Sequence, residues 1–358
     1  MTGAPLMITA GGTGGHVFPA LAVAECLQAQ DIPVVWLGTR RGLEARLVPA
    51  AGIPIEWLDV AGLRGHGWRR RLLAPWMLLR ALWQAMSVLR RVRPCAVLGM
   101  GGFVSGPGGV AARLLRIPVL IHEQNARPGM TNRWLAPMAQ RVLTGFPDTL
   151  PQAVVIGNPV RRSITLLADP TERFAGRDQG RLRILVLGGS QGAQALNETV
   201  PQAVALLPSE HCPQIWHQAG ANREGATAEA YQAVAVKARV EAFIDDMALA
   251  YGWADLVICR AGALTIAELA AAGIGALLVP YPHAVDDHQT ANAQFLVNHG
   301  AAIWLPQSEL NPHRLADLLN DLSANRQGVQ AMAIAARAQA RPEAAQQLAQ
   351  HCLEVAQS

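Results

Sequence analysis

Short apolar runs alternate with helical patterns from one end of the chain to the other. In the first half, these runs predict strands at about Leu6–Ala10, Val34–Leu37, Ile55–Val60, Ala96–Gly99, Val119–His122, Arg141–Thr144 and Val154–Ile156. In the second half, they predict strands at about Arg183–Leu187, Ile215–Gln218, Arg239–Ala242, Leu256–Cys259, Ala276–Val279 and Ala302–Leu305. Strands separated by helices are typical of parallel sheets with helices on both faces, so each half is predicted to be a doubly wound α/β domain.

With 358 residues, of which 51% are hydrophobic, the chain is long enough to build two such domains with separate cores. We expect an N-terminal Rossmann-like domain over residues 1–162 and a C-terminal one over residues 163–340. Residues 341–358 are expected to form a last helix that packs back on the N-terminal domain. The polar stretch Arg162–Arg181 is predicted to be the linker.

The two halves repeat one another. The segments LMITAGGTGGH at 6–16 and ILVLGGSQGAQ at 184–194 are each an apolar strand followed by a glycine-rich turn and the start of a helix. Ligands of doubly wound sheets bind beyond the carboxyl ends of the strands. We therefore expect the functional residues in the loops that follow the strands, with the loops of the two domains facing a cleft.

The first glycine-rich loop, GGTGGHVFPA at 11–20, lacks both common nucleotide-binding signatures. A dinucleotide fingerprint starting at Gly12 needs glycine where the chain has Val17, and a P-loop needs lysine where the chain has His16. An NAD-dependent oxidoreductase and a P-loop ATPase are thus disfavoured. The glycines either admit a ligand close to the backbone or form a tight turn. His16 either transfers a proton near neutral pH or is structural.

Two further glycine-rich loops follow predicted strands. The loop GMGGFVSGPGG at 99–109, which contains Ser105, is either a backbone nest for a diphosphate or a flexible turn. In the loop GGSQGA at 188–193, the Ser190 hydroxyl and free N–H groups up to Gly192 precede a helix. A hydroxyl donor beside a helix amino end suits a diphosphate, so the second loop is the better candidate.

Polar clusters follow three other strands. The segment HEQN at 122–125 suits sugar hydroxyls or caps the next helix. In CRAGALTIAELAAAG at 259–273, Glu268 lies on an otherwise apolar helix and needs hydrogen-bond donors, which a ribose diol or the helix's own amino end would supply. The segment DDHQTAN at 286–292 offers further side chains for sugar hydroxyls.

Metal and thiol chemistry are not expected. Two histidines and two aspartates lie close together within 283–288, but no other segment has metal-ligand spacing and no D-x-D pattern occurs. The cysteines are scattered without a C-x-x-C pair, which predicts free thiols in a reducing cytosol. The first ten residues lack the basic region of a signal peptide and lead directly into a strand.

Charge is distributed unevenly along the chain. Residues 1–160 hold sixteen arginines against seven acidic residues, whereas the remainder is acidic on balance. No acidic residue lies between Asp59 and Glu123, a stretch that includes the basic and tryptophan-rich segment 64–93. This half is therefore predicted to meet an anionic surface.

The segment 64–93 favours a membrane surface. Its apolar part is interrupted by Pro75, Arg80 and Gln84, so it is too short to span a bilayer. Arginines beside tryptophans and leucines suit an element that lies on an anionic membrane surface, although an ordinary helix with one core face has the same composition. No nucleic-acid motif accompanies the arginines, and nucleic acid is not an expected partner.

Eight segments, taken together and in order, resemble the MurG family of bacterial N-acetylglucosaminyltransferases. They cover residues 6 to about 310 and read GGTGGHVFPALA, GMGGFVSGPGG, HEQN, GNPVR, GGSQGA, FIDDM, CRAGALTIAE and PHAVDDHQTANA. The resemblance implies a GT-B fold of two Rossmann-like domains around a cleft. It also implies an inverting transfer of GlcNAc from UDP-GlcNAc to the 4-hydroxyl of the muramoyl sugar of lipid I, giving lipid II and UDP for peptidoglycan synthesis.

In this family the donor lies mostly against the C-terminal domain, and the lipid acceptor lies against the N-terminal domain and the membrane. That division agrees with the charge asymmetry of this chain. The resemblance thus implies a peripheral protein on the cytoplasmic face of the inner membrane, without a cofactor, that acts in cell-wall growth, cell shape and division.

Carried over motif by motif, the family's donor contacts correspond to Thr13, Gly14, Gly15, Asn125, Arg161, Ser190, Ile244, Ala263, Leu264, Thr265, Ile266, Ala267, Glu268 and Gln289. Arg260 is a further candidate for substrate binding. By this correspondence the backbone of Ile244 meets the uracil edge and Glu268 holds the ribose. The side chains of Asn125 and Gln289 contact GlcNAc hydroxyls. The family often has serine where this chain has Ala261, so no hydroxyl role is expected there.

The implied reaction is an in-line displacement at the anomeric carbon. His16 is the expected base for the acceptor proton, and Glu123 is the other catalytic candidate. Ser190, the N–H groups of Gly189–Gly192 and Arg161 would stabilise the departing UDP without a metal, with help from Arg260. Two other functions stay open: a non-hydrolysing UDP-GlcNAc 2-epimerase, which needs no membrane patch, and a non-catalytic subunit that binds a sugar nucleotide.

Overall fold

The computed structural model describes residues 3–59, 68–177, 180–189 and 192–357, and of residues 68–75 it describes the backbone alone. The chain divides into two compact units. Unit 1 comprises Met1–Arg161 together with Pro342–Ser358, and unit 2 comprises Arg162–Arg341.

Unit 1 is built on a seven-stranded parallel sheet of order β3-β2-β1-β4-β5-β6-β7. Its strands are β1 Leu6–Thr9, β2 Val34–Gly38, β3 Ile55–Trp57, β4 Ala96–Gly99, β5 Val119–Glu123, β6 Arg141–Thr144 and β7 Val154–Val155. Its first five helices are α1 Gly14–Gln28, α2 Glu44–Ala50, α3 Trp68–Val92, α4 Ser105–Leu114 and α5 Met130–Leu135, the last followed by a 3-10 turn at Ala136–Met138.

Unit 2 is built on a six-stranded parallel sheet of order β10-β9-β8-β11-β12-β13. Its strands are β8 Arg183–Leu187, β9 Gln214–Gln218, β10 Ala238–Glu241, β11 Leu256–Cys259, β12 Gly275–Leu278 and β13 Ala302–Trp304. Its helices are α6 Arg162–Thr165, α7 Pro170–Phe174, α8 Gln194–Ala205, α9 Glu224–Ala233, α10 Met247–Trp253, α11 Ala263–Ala272, α12 His288–Val297, α13 Pro312–Ala324 and α14 Arg326–Ala338, with a 3-10 turn at Val285–Asp287 before α12.

The predicted doubly wound α/β fold is confirmed in both units, and every predicted strand is present. The strand predicted at Ile55–Val60 ends at Trp57, and Val60 lies outside the described residues. Consecutive residues of a buried parallel strand face opposite helical layers, so the strands are apolar on both faces. In β1, for example, Leu6 and Ile8 belong to one core cluster and Met7 belongs to the cluster on the other face.

The chain returns to unit 1 in its last helix, α15 Ala344–Gln357. Four of its residues, Leu348, Ala349, Cys352 and Val355, are buried in the core cluster that contains the apolar face of α1. Fully burying a leucine or valine side chain stabilises a fold by about 1.5–3 kcal/mol. This helix is therefore a structural part of unit 1.

The prediction of a linker at Arg162–Arg181 is wrong, because much of this stretch is packed within unit 2 as α6 and α7. The buried guanidinium of Arg173 donates to the carbonyl of Ala272 (2.7 Å) and also to the carbonyl of Gly273. The last carbonyls of a helix lack partners within the helix. The Arg173 guanidinium supplies hydrogen-bond donors for the last carbonyls of α11. This contact explains why a charged residue lies in a segment that is packed within unit 2.

The strand orders place one switch point in each sheet. In unit 1 the order reverses between β1 and β4, and in unit 2 it reverses between β8 and β11. Ligands of open parallel sheets bind at such a reversal, outside the carboxyl ends of the strands. The glycine-rich loops at 10–13 and 100–104 follow the first pair, and those at 188–193 and 260–262 follow the second.

Candidate active site

A buried carboxylate holds the first glycine-rich loop. The N–H group of Gly12 donates to Oε2 of Glu44 (3.0 Å), and the N–H and hydroxyl groups of Thr39 donate to Oε1 (3.1 and 2.7 Å). Glu44 has no exposed surface. Sequence reasoning missed this residue, because nothing in the sequence places the start of α2 beneath a loop that lies more than thirty residues earlier.

The amino end of α1 carries three of the predicted contacts. Thr13 is the N-cap residue, and its carbonyl accepts from the N–H groups of His16 (3.1 Å) and Val17 (3.2 Å). The first N–H groups of a helix have no partner within the helix and are suited to bind an anion. In α1 these are the N–H groups of Gly14 and Gly15.

The second glycine-rich loop packs directly against the first. Gly101 and Gly102 both have positive φ, +93° and +81°. A Cβ atom on Gly101 would lie 2.8 Å from Nδ1 of His16, and one on Gly102 would lie 2.4 Å from the carbonyl oxygen of Gly11. The loop is therefore a wall beside His16, and this contact explains its glycines without a bound phosphate.

The Ser105 hydroxyl fixes that wall to the sheet. It is buried and lies 2.7 Å from the carbonyl oxygens of Thr9 and Gly101. The hydroxyl of Thr9 donates to it in turn at 3.0 Å. Ser105 thus connects the loop after β4 to the end of β1.

A chain of side-chain hydrogen bonds ends on His16. Its Nδ1 lies 3.0 Å from Oε1 of Gln124, and Nε2 of Gln124 lies 3.1 Å from Nδ1 of His122. Nε2 of His122 lies 2.9 Å from the carbonyl oxygen of Gly157. Burial lowers the pKa of His122 to about 4, so its imidazole is neutral at physiological pH.

Glu123 is buried and organises the loop that follows β5. Its Oε1 accepts from the N–H and side-chain amide groups of Asn125 (3.0 and 3.3 Å). Its Oε2 accepts from the N–H of Gly129 (3.0 Å) and the amide of Asn132 (2.8 Å). Four donors therefore surround this carboxylate, and the geometry favours His16 over Glu123 as the base.

Arg161 ends unit 1 beside α1. Its guanidinium lies 5.2 Å from the centroid of the Phe18 ring, one helical turn beyond Gly14 and Gly15. Asn125 adjoins Gln124, the partner of His16. The structure thus brings the predicted unit 1 residues to the switch point of one sheet.

In unit 2, the turn after β8 differs from the expectation. The N–H group of Gly192, predicted to be free for a phosphate, donates to the carbonyl of Gly189 (3.0 Å). Gly192 has a φ of +73°, and an added Cβ would lie 2.0 Å from the carbonyl oxygen of Ala219. Helix α8 begins at Gln194. The predicted contact Ser190 lies outside the described residues.

Gln218, at the end of β9, connects two predicted binding segments and was missed by sequence reasoning. Its amide nitrogen donates to the carbonyl of Gly189 (3.2 Å), and its amide oxygen accepts from the N–H of Ile244 (3.1 Å). The N–H of Ile244 is thus engaged within the unit. The carbonyl of this buried residue is therefore the backbone group that we consider as a candidate to accept a hydrogen bond from uracil.

The amino end of α11 is built like that of α1. Gly262 is the N-cap residue, and its carbonyl accepts from the N–H of Ile266 (3.0 Å). The N–H groups of Ala263, Leu264 and Thr265 therefore lie at the amino end, where they suit a diphosphate. Ala263 is buried, so a ligand would meet its backbone, whereas Ile266 is buried and its N–H is already bonded to Gly262. Ala267 follows on the same helix and is half-buried.

Glu268 is buried in the second turn of α11. Its Oε2 accepts from the hydroxyl of Tyr251 on α10 at 3.1 Å.

Asn292 on α12, one of the side chains predicted to bind sugar hydroxyls, has no exposed surface, and its amide donates to the carbonyl of Ala261 (3.2 Å). The idea that the Asn292 side chain binds a sugar is therefore wrong.

Arg260 braces the loop after β12. Its guanidinium donates to the carbonyls of Val279 (3.0 Å) and Pro280 (3.3 Å) and to Oε1 of Gln307 (2.6 Å). Partial burial lowers its pKa. The same loop is held by Gln289, whose amide oxygen accepts from the N–H of Tyr281 (2.9 Å). Both predicted contacts therefore shape this loop.

Helix α3 exposes an apolar face. Trp76 and Trp83 are each 70% exposed and Leu79 is 60% exposed. A groove of about 510 Å³ lies along them, lined by Trp76, Leu79, Arg80, Leu82, Trp83 and Met86.

Across the described ranges, no helix has both the length and the apolar character that a membrane span requires. Nor do three or more His, Cys, Asp or Glu side chains converge on a metal position in those ranges.

Two Rossmann-like domains with glycine-rich loops at the switch points of their parallel sheets are the architecture of GT-B proteins, and the family models and a solved structure identify the class as nucleotide-sugar-dependent glycosyltransferases. The chain belongs to glycosyltransferase family 28: the model of the N-terminal domain matches residues 6–144 and that of the C-terminal domain matches residues 183–348.

The chain is similar to named proteins over its whole length. A protein of Nitrosococcus oceani named UDP-N-acetylglucosamine--N-acetylmuramyl-(pentapeptide) pyrophosphoryl-undecaprenol N-acetylglucosamine transferase is 59% identical over 354 residues, 98% of each chain. A protein of the same name from Alkalilimnicola ehrlichii is 58% identical over 98% of this chain and 99% of that relative. The crystal structure of Acinetobacter baumannii MurG matches with a TM-score of 0.85 and 45% identity, over 98% of this chain and 100% of that one. The family resemblance is confirmed.

Proposed function

We propose that this chain transfers GlcNAc from UDP-GlcNAc to the 4-hydroxyl of the N-acetylmuramoyl sugar of undecaprenyl-linked lipid I. The transfer inverts the anomeric carbon and gives lipid II and UDP. The observation that carries the proposal is the whole-length identity with relatives named for this transfer. The arrangement of each unit's switch-point loops supports it.

Unit 2 is assigned to the donor. The carbonyl of Ile244 accepts from the uracil N3–H, because its own N–H is already bonded to Gln218. The carboxylate of Glu268, which the Tyr251 hydroxyl orients, accepts from the ribose hydroxyls. The N–H groups at the amino end of α11 bind the diphosphate, together with Ser190. The Gln289 side chain, which lies on α12 and accepts from the N–H of Tyr281 in the loop braced by Arg260, contacts the GlcNAc hydroxyls through its amide nitrogen.

Unit 1 is assigned to the acceptor and to proton transfer. His16 accepts the proton of the acceptor hydroxyl as its oxygen forms the bond to the anomeric carbon. The bond from that carbon to the diphosphate oxygen breaks, and its electron pair leaves with UDP. Arg161 and the N–H groups of Gly14 and Gly15 stabilise the negative charge that develops during this step. Asn125 contacts a GlcNAc hydroxyl.

The deciding experiment measures UDP release from UDP-GlcNAc with and without a water-soluble lipid I analogue. The proposal expects release that depends on the analogue, together with a new disaccharide product. An epimerase would convert the sugar nucleotide without any acceptor. A non-catalytic binding subunit would bind UDP-GlcNAc and release nothing in either condition.

The exposed apolar face of α3 is assigned to the anionic surface of the inner membrane, on its cytoplasmic side. Tryptophan and leucine side chains at helical spacing with arginines at their margin suit the interface of a bilayer. Two of these arginines pair with carboxylates, Arg80 with Asp59 (3.1 Å) and Arg91 with Glu56 (2.5 Å). The other arginines of the segment 64–93 carry the positive charge that would attract anionic lipid. Nucleic acid is not proposed as a partner.

A further inference from the structure

The hydrogen bonds that end on His16 fix more than the position of its ring. We propose that His122 and Gln124 are positioning residues that hold His16 in the tautomer with hydrogen on Nδ1. The unprotonated Nε2 then accepts the proton of the acceptor hydroxyl. The inference rests on the proposed function for the identity of that proton, but the tautomer itself is a property of the free protein.

The argument starts at Gly157, at the far end of the chain of bonds. A carbonyl oxygen only accepts hydrogen bonds, so Nε2 of His122, 2.9 Å away, carries a hydrogen and donates it. His122 is neutral because burial lowers its pKa to about 4. In a neutral imidazole the other nitrogen is an acceptor, so Nδ1 of His122 carries a lone pair.

That lone pair sets the orientation of the Gln124 amide. The group 3.1 Å from Nδ1 of His122 must be a donor, which identifies it as the amide nitrogen of Gln124. The same nitrogen also donates to the carbonyl of His122 at 3.2 Å. With the nitrogen fixed on this side, the amide oxygen of Gln124 points at His16.

The amide oxygen then decides the tautomer of His16. An amide oxygen accepts, so Nδ1 of His16, 3.0 Å away, donates and must carry a hydrogen. The neutral ring therefore keeps its lone pair on Nε2, the nitrogen that a general base uses. Gly101 closes the space around Nδ1, since an added Cβ there would lie only 2.8 Å from this atom.

A role of this kind is familiar from other enzymes, in which a hydrogen bond to one imidazole nitrogen fixes the tautomer for the other. A backbone carbonyl or a carboxylate is the common partner. Here the partner is a neutral amide, oriented by a second histidine and a backbone carbonyl. The arrangement thus fixes the tautomer of His16 through an uncharged side chain.

The first test reads the tautomer without any substrate. Protein with ¹⁵N-labelled histidine is studied at pH 8 by long-range ¹H–¹⁵N correlation, which separates the two tautomers by the shifts of the ring nitrogens. Difference spectra against His16→Gln and His122→Gln assign the two residues among the ten histidines. We expect hydrogen on Nδ1 of His16 and on Nε2 of His122. Hydrogen on Nε2 of His16 in the wild-type protein overturns the proposal.

Two variants test the connection. Gln124→Met removes both the donor and the acceptor, so His16 should lose its preference for the Nδ1–H form and kcat should fall by about 10- to 100-fold with both KM values unchanged. Gln124→Glu keeps an acceptor for Nδ1 of His16 but loses the donor to Nδ1 of His122. It should therefore retain the Nδ1–H tautomer of His16, with a kcat that is higher than that of Gln124→Met but lower than that of the wild-type protein. Thr149→Val removes a buried hydroxyl bond of unit 1 to the Phe146 carbonyl and serves as the matched control.

The outcomes separate this inference from the proposed function. If His16→Ala turns over normally but the spectra show the Nδ1–H form, then His16 is not the base and the tautomer assignment stands. If Gln124→Met leaves the His16 tautomer unchanged, the positioning role is wrong even when lipid II is formed. A purely structural role for Gln124 would lower kcat in both variants equally and leave the tautomer in place.

Discussion

The hydroxyl of Tyr251 lies 3.1 Å from Oε2 of Glu268, and the two side chains meet in the interior of unit 2, on α10 and α11. An isolated carboxylate among the alanines and leucines of α11 would be strongly disfavoured. Tyr251 provides one donor and fixes the direction in which the carboxylate points. Under the proposed function, this contact orients the carboxylate that accepts from the ribose hydroxyls.

Glu268→Ala should therefore raise the KM for UDP-GlcNAc by about 10- to 100-fold with a smaller effect on kcat. The reason is that hydrogen bonds to a charged group contribute about 1.5–3 kcal/mol. Tyr251→Phe should raise the same KM less, because the carboxylate loses only its orientation. Tyr231→Phe, which removes a buried hydroxyl that contacts His217 in the same unit, is the control. An unchanged KM in Glu268→Ala would remove this residue from the ribose site.

His16→Ala should lower kcat by about 10²- to 10⁴-fold at saturating donor and acceptor, which is the range that general-base catalysis contributes. The KM for UDP-GlcNAc should change little, because the donor is assigned to unit 2. His313→Ala, on the exposed start of α13, is the matched control. Near-normal turnover of His16→Ala would show that another group accepts the proton.

Gly101→Ala should abolish most of the turnover, because its methyl group would lie 2.8 Å from Nδ1 of His16 and displace the ring. Gly52→Ala is a close control: it also has a positive φ, +70°, but nothing lies within 4 Å of its added Cβ. Both variants should lose about 1–2 kcal/mol of folding stability through backbone strain. Thermal unfolding and kcat are measured for both. Equal losses of kcat would contradict a specific contact with His16.

Charge reversal should release the protein from membranes. We expect Arg69→Glu, Arg70→Glu and Arg71→Glu together to weaken binding to vesicles of anionic phospholipid, because each basic residue near such a surface contributes about 1 kcal/mol. Trp76→Ser with Trp83→Ser should weaken binding to anionic and neutral vesicles alike. The same charge reversal at the exposed residues Arg181, Arg314 and Arg341 of unit 2 is the control. Unchanged vesicle binding in both the arginine variant and the tryptophan variant would leave α3 a purely structural helix.

The protein should lose stability in mild acid. Burial lowers the pKa of His122 to about 4 and that of His217 to about 3, both from an ordinary value of 6.5. At a pH between the lowered pKa of the folded protein and the ordinary value of 6.5, the unfolded chain binds more protons than the folded one. The free energy of unfolding therefore falls as the pH drops below 6.5. For His122 the loss approaches about 3 kcal/mol near pH 4.

Urea unfolding at pH 7.5 and pH 5 measures this effect. His217→Gln should flatten the pH dependence of the unfolding of unit 2, because it removes the group that must take up a proton. A pH dependence equal to that of the wild-type protein would place the acid sensitivity on other groups. The direction is the same for His122, which lies in unit 1.

The sequence by itself determined the order and type of the elements. Buried parallel strands such as Leu6–Thr9 and Leu256–Cys259 are short, continuous apolar runs between helical patterns, and this local signal needs no knowledge of neighbours. The glycine-rich loops could be found in the same way, because strand, glycine turn and helix follow one another directly. The family motifs are local as well, so they point to the binding segments of each domain.

Only the tertiary structure decided what those segments do. Gly101 must be glycine because His16, eighty-five residues earlier, lies against it, and Gln124 faces His16 because His122 and Gly157 fix its amide. Arg173 lies in a polar stretch that resembles a linker, yet its guanidinium satisfies the end of α11. Such contacts depend on which strands become neighbours. The reversal between β1 and β4 brings residues that are distant in sequence within hydrogen-bonding distance, and no local pattern records that distance.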